Sequence, residues 1–163
     1  MDEIPELLER FRRGAELVAV AITGAAGPEL DFKPAPEKWS VRQIVAHLAD
    51  AEAATVLRLR QVLSEENPTL VQWDQNAFAE RTDYGKRKPS QSLETMRQLR
   101  ADNYQLLKDL PPEMYSRTAQ HVRRGPMTLL DMLRLFAEHA ERHAAQIRDV
   151  RSAYKISRAK ATA

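Results

Sequence analysis

A chain of 163 residues, 43% of them hydrophobic, is long enough to enclose one core and fits a single domain over residues 1–163. Lys and Arg number 25 against 23 Asp and Glu, a net +2, so no nucleic-acid partner is expected. Cysteine is absent, which excludes disulfides, thiolate nucleophiles and sulfur-ligated metals, and no apolar run approaches spanning length, so the expectation is a cytoplasmic protein with no membrane partner.

The first periodic segment carries Ile4, Leu7, Leu8, Phe11, Ala15, Val18 and Ile22 at helical spacing and stops at Gly24 and Gly27-Pro28. Three prolines between Pro28 and Lys38 read as a surface connection without a regular element. Ser40 followed three residues later by Gln43 is a capping-box pattern and starts a second helix. Its apolar stripe is Val41, Ile44, Leu48, Ala51, Thr55, Leu59 and Val62, with His47 beside it, and Asn67-Pro68 ends it. From Pro68 to Pro89 the pattern weakens to a short helix around Trp73–Arg81 inside a long connection, a length often functional in a compact domain. Trp73 there reads first as an aromatic lid on the bundle end and second as a cavity wall.

A third main helix spans about Ser90 to Leu110 with Leu93, Met96, Leu99, Leu106 and Leu110 as its buried set, closed by Pro111-Pro112. A turn-rich piece with His121 and Arg123-Arg124 follows; the arginines read as a polar turn, or as an anion clamp if a pocket lies near. Thr128 with Asp131 marks the start of the last helix, on which Leu129, Met132, Phe136, His139, His143, Gln146 and Val150 recur at steps of three and four. Arg148, Arg151, Lys155, Arg158 and Lys160 then suit the negative end of that helix. No repeat and no persistent strand alternation is present. The fold class is all-α: a four-helix bundle with a long connection between the second and third main helices.

His139 and His143, four apart on one helix, project from one face and can share a metal ion, and a zinc-like ion needs a third protein ligand. His47 can point inward from the second helix, whereas His121 lies in a loop of undetermined direction. Asp50, one turn from His47, is a candidate to accept a ring N–H or reach the metal; Glu138, Glu141 and Gln146 are alternatives, of which Gln146 follows the inward stripe best. Three neutral imidazoles leave a dication's charge uncompensated, which acidifies a bound water or thiol. Zinc fits such ligands, and nickel, iron and manganese also accept imidazole.

Trp39-Ser40, His47-Leu48-Ala49-Asp50-Ala51-Glu52, Trp73-Asp74, Gly125-Pro126-Met127-Thr128-Leu129 and His139, His143, Gln146-Ile147 together resemble the DinB-like (DinB/YfiT-like) metalloenzyme family over nearly the whole chain. The resemblance implies a four-helix bundle holding a divalent metal ion, zinc or nickel before iron or manganese, through His47, His139 and His143. It also implies a small-molecule substrate and, because the family includes bacillithiol transferases and mycothiol-dependent maleylpyruvate isomerase, a low-molecular-weight thiol as a candidate partner. The expected function is therefore a metal-dependent hydrolase or thiol S-transferase. The alternative is a non-catalytic metal- or ligand-binding bundle with a stress or sensing role. A spare helix face would suit a homodimer.

Overall fold

Helix α1 (Ile4–Ile22) opens with a proline in its first turn, where the missing N–H costs nothing, and buries Leu7, Phe11, Ala15 and Val18. A computed structural model describes residues 3–162. After α1 the chain makes one helical turn, α2 (Pro28–Asp31), where no regular element is expected from the prolines. Arg42 holds that turn by donating from Nε and Nη2 to the two Asp31 carboxylate oxygens, at 2.6 and 3.0 Å.

Helix α3 (Val41–Ser64) starts at the reciprocal cap read from the sequence: Ser40 Oγ accepts from the Gln43 N–H, and Gln43 Oε1 accepts from the Ser40 N–H at 3.1 Å. Ser40→Ala should therefore lower stability by about 1 kcal/mol, measured as a shift in the urea midpoint with unchanged slope. Helix α4 (Gln75–Arg81) lies within the long connection and is capped by Asp74. Helix α5 (Pro89–Lys108) follows, then a 3-10 turn over Pro112–Ser116 and helix α6 (Leu129–Ala161), capped by the Thr128–Asp131 pair.

Two strands interrupt the helical order. β1 (Thr118–His121) pairs antiparallel with β2 (Gly125–Thr128), closing the register at His121 opposite Gly125. Gly125 takes the left-handed conformation, φ 75°, that the end of this tight loop requires. Leu70 N–H donates to Gln120 O and Gln120 N–H to Pro68 O, so the long connection is stitched onto β1.

The four long helices pack in a ring, α1 beside α6, α6 beside α3, α3 beside α5 and α5 beside α1. Their directions follow from side-chain pairs. Glu3 meets Arg134 and Arg10 meets Glu141, so α1 and α6 run parallel. Asp50 meets Arg87 just before α5, and Glu52 meets Arg100, so α3 and α5 are parallel too. Glu16 meets Arg97 while Phe11 meets Arg100, which makes α1 antiparallel to α5. Adjacent parallel helices cannot be joined by a tight turn, and this is why the chain needs a connection as long as residues 65–88: it must return the length of the bundle.

The core has two large apolar clusters and a small third one of Ala46, Ala79 and Tyr84. One large cluster contains Phe11, Leu59, Leu107 and Leu133, and the other Val18, Ile44, Leu48, Met96 and Ile147. Between them in sequence and space lies a buried ion pair. Arg100 donates from Nε to Glu52 Oε1 at 2.8 Å and from Nη1 to Phe11 O at 2.8 Å, and its guanidinium sits 4.4 Å from the Phe11 ring centroid. Gly14 makes room for it, since a Cβ there would strike both the Arg100 guanidinium and Ala140. The inward face of α5 is thus Leu93, Met96, Arg100, Asn103 and Leu107, while Leu99, Leu106 and Leu110 are only half-buried. This corrects the expected stripe by a rotation of the helix of about one residue.

In the basic C-terminal segment, Arg151 binds Glu29 and donates from Nη1 to Ala21 O and Thr23 O. It therefore caps the end of α1 rather than acting as a free charge. No helix among the described residues is long and apolar enough to cross a membrane.

Candidate metal centre

His47 comes from α3 and is 1% exposed, whereas His139 and His143 sit half-buried at the edge of the inward face of α6. The deepest line of that helix is Leu133, Ala137, Ala140, Ala144 and Ile147. The two imidazoles flank it, packed on one side and open on the other. Because α3 and α6 run antiparallel, residue 47 arrives opposite residues 139 and 143. The His139 Nε2 lies 3.1 Å from His47 Nε2 and 3.1 Å from His143 Nε2, and the three ligand atoms all fall within 4.8 Å of one another.

Neutral imidazoles cannot satisfy this arrangement by themselves. His143 Nδ1 is 2.7 Å from Gln146 Oε1, an acceptor only, so the proton is on Nδ1 and the Nε2 lone pair points at the cluster. His139 Nε2 has a single proton at most and two nitrogen neighbours. Three nitrogens about 2.05 Å from a tetrahedral zinc would stand about 3.3 Å apart, close to what is observed. The residues present therefore fit a divalent ion held by His47, His139 and His143. Burial, with the neighbouring imidazole adding to it, pushes His47 down to about 3, and His139 and His143 are also held below the usual histidine range chiefly by burial. All three rings are neutral at pH 7, with lone pairs free for a cation.

Gln146 sets which nitrogen of His143 faces inward. Gln146→Leu should weaken metal affinity about 10–100-fold while leaving the helix intact, which a competitive chelator titration would measure. The other sequence candidates are engaged elsewhere. Asp50 accepts from Arg87 Nη1 at 2.8 Å, and Glu141 accepts both donors of Arg10. Glu138 lies outside the cavity lining. The His47 Nδ1 is buried without a protein partner among the described residues.

Trp39 and Trp73 cover His47, with ring centroids 4.9 and 5.4 Å from the imidazole. The three histidines open into a cavity of about 540 Å³ that Trp73, Leu135, Phe136 and Thr55 also line. Trp73 is thus a cavity wall stacked on a histidine, not the bundle-end lid preferred from sequence. His121, at the end of β1, lines the same cavity, as do Arg58, Arg123, Arg124 and Arg142. Sequence periodicity could not bring these residues together, because they come from a hairpin, a connection and two helices.

Residues 7–147 match the DinB superfamily. The chain belongs to the DinB superfamily. Among DinB relatives, one from Oceanobacillus iheyensis is 32% identical over 73% of this chain and 69% of its own length. YfiT from Bacillus subtilis is 28% identical over 92% of this chain and 79% of its own length. Both are named "Putative metal-dependent hydrolase". A solved structure of YfiT superposes with a TM-score of 0.87 at 26% identity, covering 92% of this chain and 86% of that one. It is described as a probable metal-dependent hydrolase with an unusual four-helix bundle topology. In this DinB chain the ring order with its two parallel neighbour pairs departs from an up-down bundle.

Proposed function

We propose that the protein is a divalent-metal-dependent hydrolase of small molecules, with His47, His139 and His143 as the metal ligands and zinc the best-suited ion. The observation that carries this reading is the convergence of three Nε2 atoms, 3.1 Å apart in two of their pairs, at the wall of a cavity large enough for a substrate. When bound, such an ion supplies Lewis acidity that makes water or a thiol nucleophilic near neutral pH. The chain's own residues do the rest. Gln146 fixes the His143 tautomer, Trp39 and Trp73 hold the His47 ring, and Leu135 and Phe136 give the cavity an apolar side against which a substrate can shed water.

Among the described residues no Asp or Glu lines the cavity, so proton transfer falls to His121 or to solvent. His121 Nδ1 accepts from the Arg123 N–H at 3.2 Å, which leaves its proton on Nε2.

A second reading, transfer of an external low-molecular-weight thiol, is favoured by the combination of a cavity much larger than a water and a chain without cysteine. An activated aryl ester and an aryl halide, each tested with zinc, with chelator and with a small thiol, separate the possibilities. Metal-dependent, thiol-independent ester cleavage is the expected result. A rate that requires thiol would replace hydrolase by transferase, and no metal-dependent rate on either substrate would leave a non-catalytic binding bundle.

A further inference from the structure

We propose that the cavity beside the three histidines contains a subsite for a small anion, a carboxylate or phosphate group carried by the substrate, formed by Arg58, Arg123, Arg124 and His121. The proposal deepens the hydrolase reading by naming the substrate class, and it rests on that reading only for the anion's role in turnover.

Among the described residues four arginines line this cavity, counting Arg142, and no carboxylate does. Of the 14 arginines elsewhere in the sequence, eight, Arg10 and Arg42 among these, hold an Asp or Glu. None of the cavity arginines makes an ion pair among the described residues. Asp74 is near enough to feel Arg123, but it makes no ion pair with it, and its Oδ1 accepts from the N–H groups of Asn76 and Ala77 at 3.0 Å. Like charges gathered in a concave site repel and create a strongly positive potential, which an entering anion relieves.

One of these donors, Arg58, is also held in place, which distinguishes it from a waving surface side chain. Arg58 is half-buried and donates from Nε and Nη2 to Val71 O at 3.1 and 2.9 Å, so its guanidinium is fixed to the long connection while Nη1 makes no protein hydrogen bond among the described residues. Burial of this unpaired cation lowers its pKa, the cost that a bound anion would offset. Arg123 and Arg124 stand at the tip of the β1–β2 hairpin, whose register and left-handed Gly125 fix the turn. His121 is 9% exposed and, with Nδ1 engaged by the Arg123 N–H, offers Nε2–H as a neutral donor. Bidentate guanidinium forks and one imidazole N–H are suited to a planar carboxylate or a tetrahedral phosphate.

The test is calorimetric titration of succinate and of inorganic phosphate into the full chain, metal-stripped and zinc-loaded, for wild type and for the double variant R123Q/R124Q. Both residues are exposed at a hairpin tip, and circular dichroism would verify folding. The metal-stripped wild type should bind at least one of the two anions, with affinity falling as salt rises and at least about tenfold in the double variant. R123K/R124K should retain part of the affinity, and R97Q, whose arginine is paired outside the cavity, should match wild type. Preference for succinate or phosphate identifies the group the substrate carries. The proposal is overturned if neither anion binds the stripped wild type, or if R123Q/R124Q binds as tightly as wild type. Anion binding by a protein that takes up no zinc when zinc is supplied would sink the metal reading and leave the subsite standing; zinc uptake without anion binding would do the reverse.

Discussion

Replacing His139 by Ala should abolish stoichiometric metal binding, because His139 Nε2 is the atom that stands 3.1 Å from both other ligand nitrogens. The loss should exceed the ~100-fold that removal of an outer hydrogen-bonding partner costs. Elemental analysis of wild type and variant, purified without chelator, reads it directly. Thermal unfolding gives a second measure. At free zinc about a thousand times the dissociation constant, binding to the native state adds about 4 kcal/mol, or about 10 °C for a domain of this size. The wild type should show this rise and the variant should not. Without metal, the variant should be about as stable as wild type, since it removes an imidazole that has no adequate partner. If His139→Ala instead destabilised the metal-free protein and left zinc content unchanged, the histidines would be structural and the proposed chemistry would fall.

The second large effect concerns the ion pair in the core. Arg100→Met should cost about 3–5 kcal/mol, because it leaves the Glu52 carboxylate buried without its cation and frees Phe11 O from its donor. With a urea slope of about 2 kcal/mol/M, the midpoint should fall by about 1.5–2.5 M. The pair itself contributes far less than that number. Burial raises the Glu52 pKa and Arg100 opposes the rise, so attraction works against a desolvation cost of similar size. The double variant Arg100→Met/Glu52→Met should accordingly recover most of the stability lost in the single variant, and its denaturation curve is the check. Equal losses in the single and double variants would show instead that the pair makes a large net contribution.

The same ion pair marks where sequence reading reached its limit. Apolar periodicity followed α1 well, from Ile4 through Leu7, Phe11, Ala15 and Val18, because those positions are both apolar and inward. On α5 it failed, since three of the six buried positions are Ser92, Arg100 and Asn103 and a count of leucines passes over them. The α3 and α6 caps were legible because Ser40 with Gln43 and Thr128 with Asp131 act within a single turn. The strands were not: each has only four residues, and Pro126 occupies one position of the second. Spacing along one helix suffices to bring His139 and His143 side by side. The approach of His47, by contrast, depends on α3 lying antiparallel against α6, which follows from packing alone. The cavity wall was least accessible of all, because Arg58, His121, Arg123 and Arg142 have no shared periodicity.

The parallel pairing of α3 and α5 has an evolutionary consequence. A returning segment that must travel the height of the bundle carries Trp73 past the histidines and fastens itself to the hairpin bearing His121 and Arg123. The three histidines thus belong to rigid rods, while half of the remaining lining belongs to tethers. Tethers tolerate insertion and exchange better than packed rods do, so descendants of one ancestor can diversify the molecules they accept without re-engineering the scaffold that carries the three histidines.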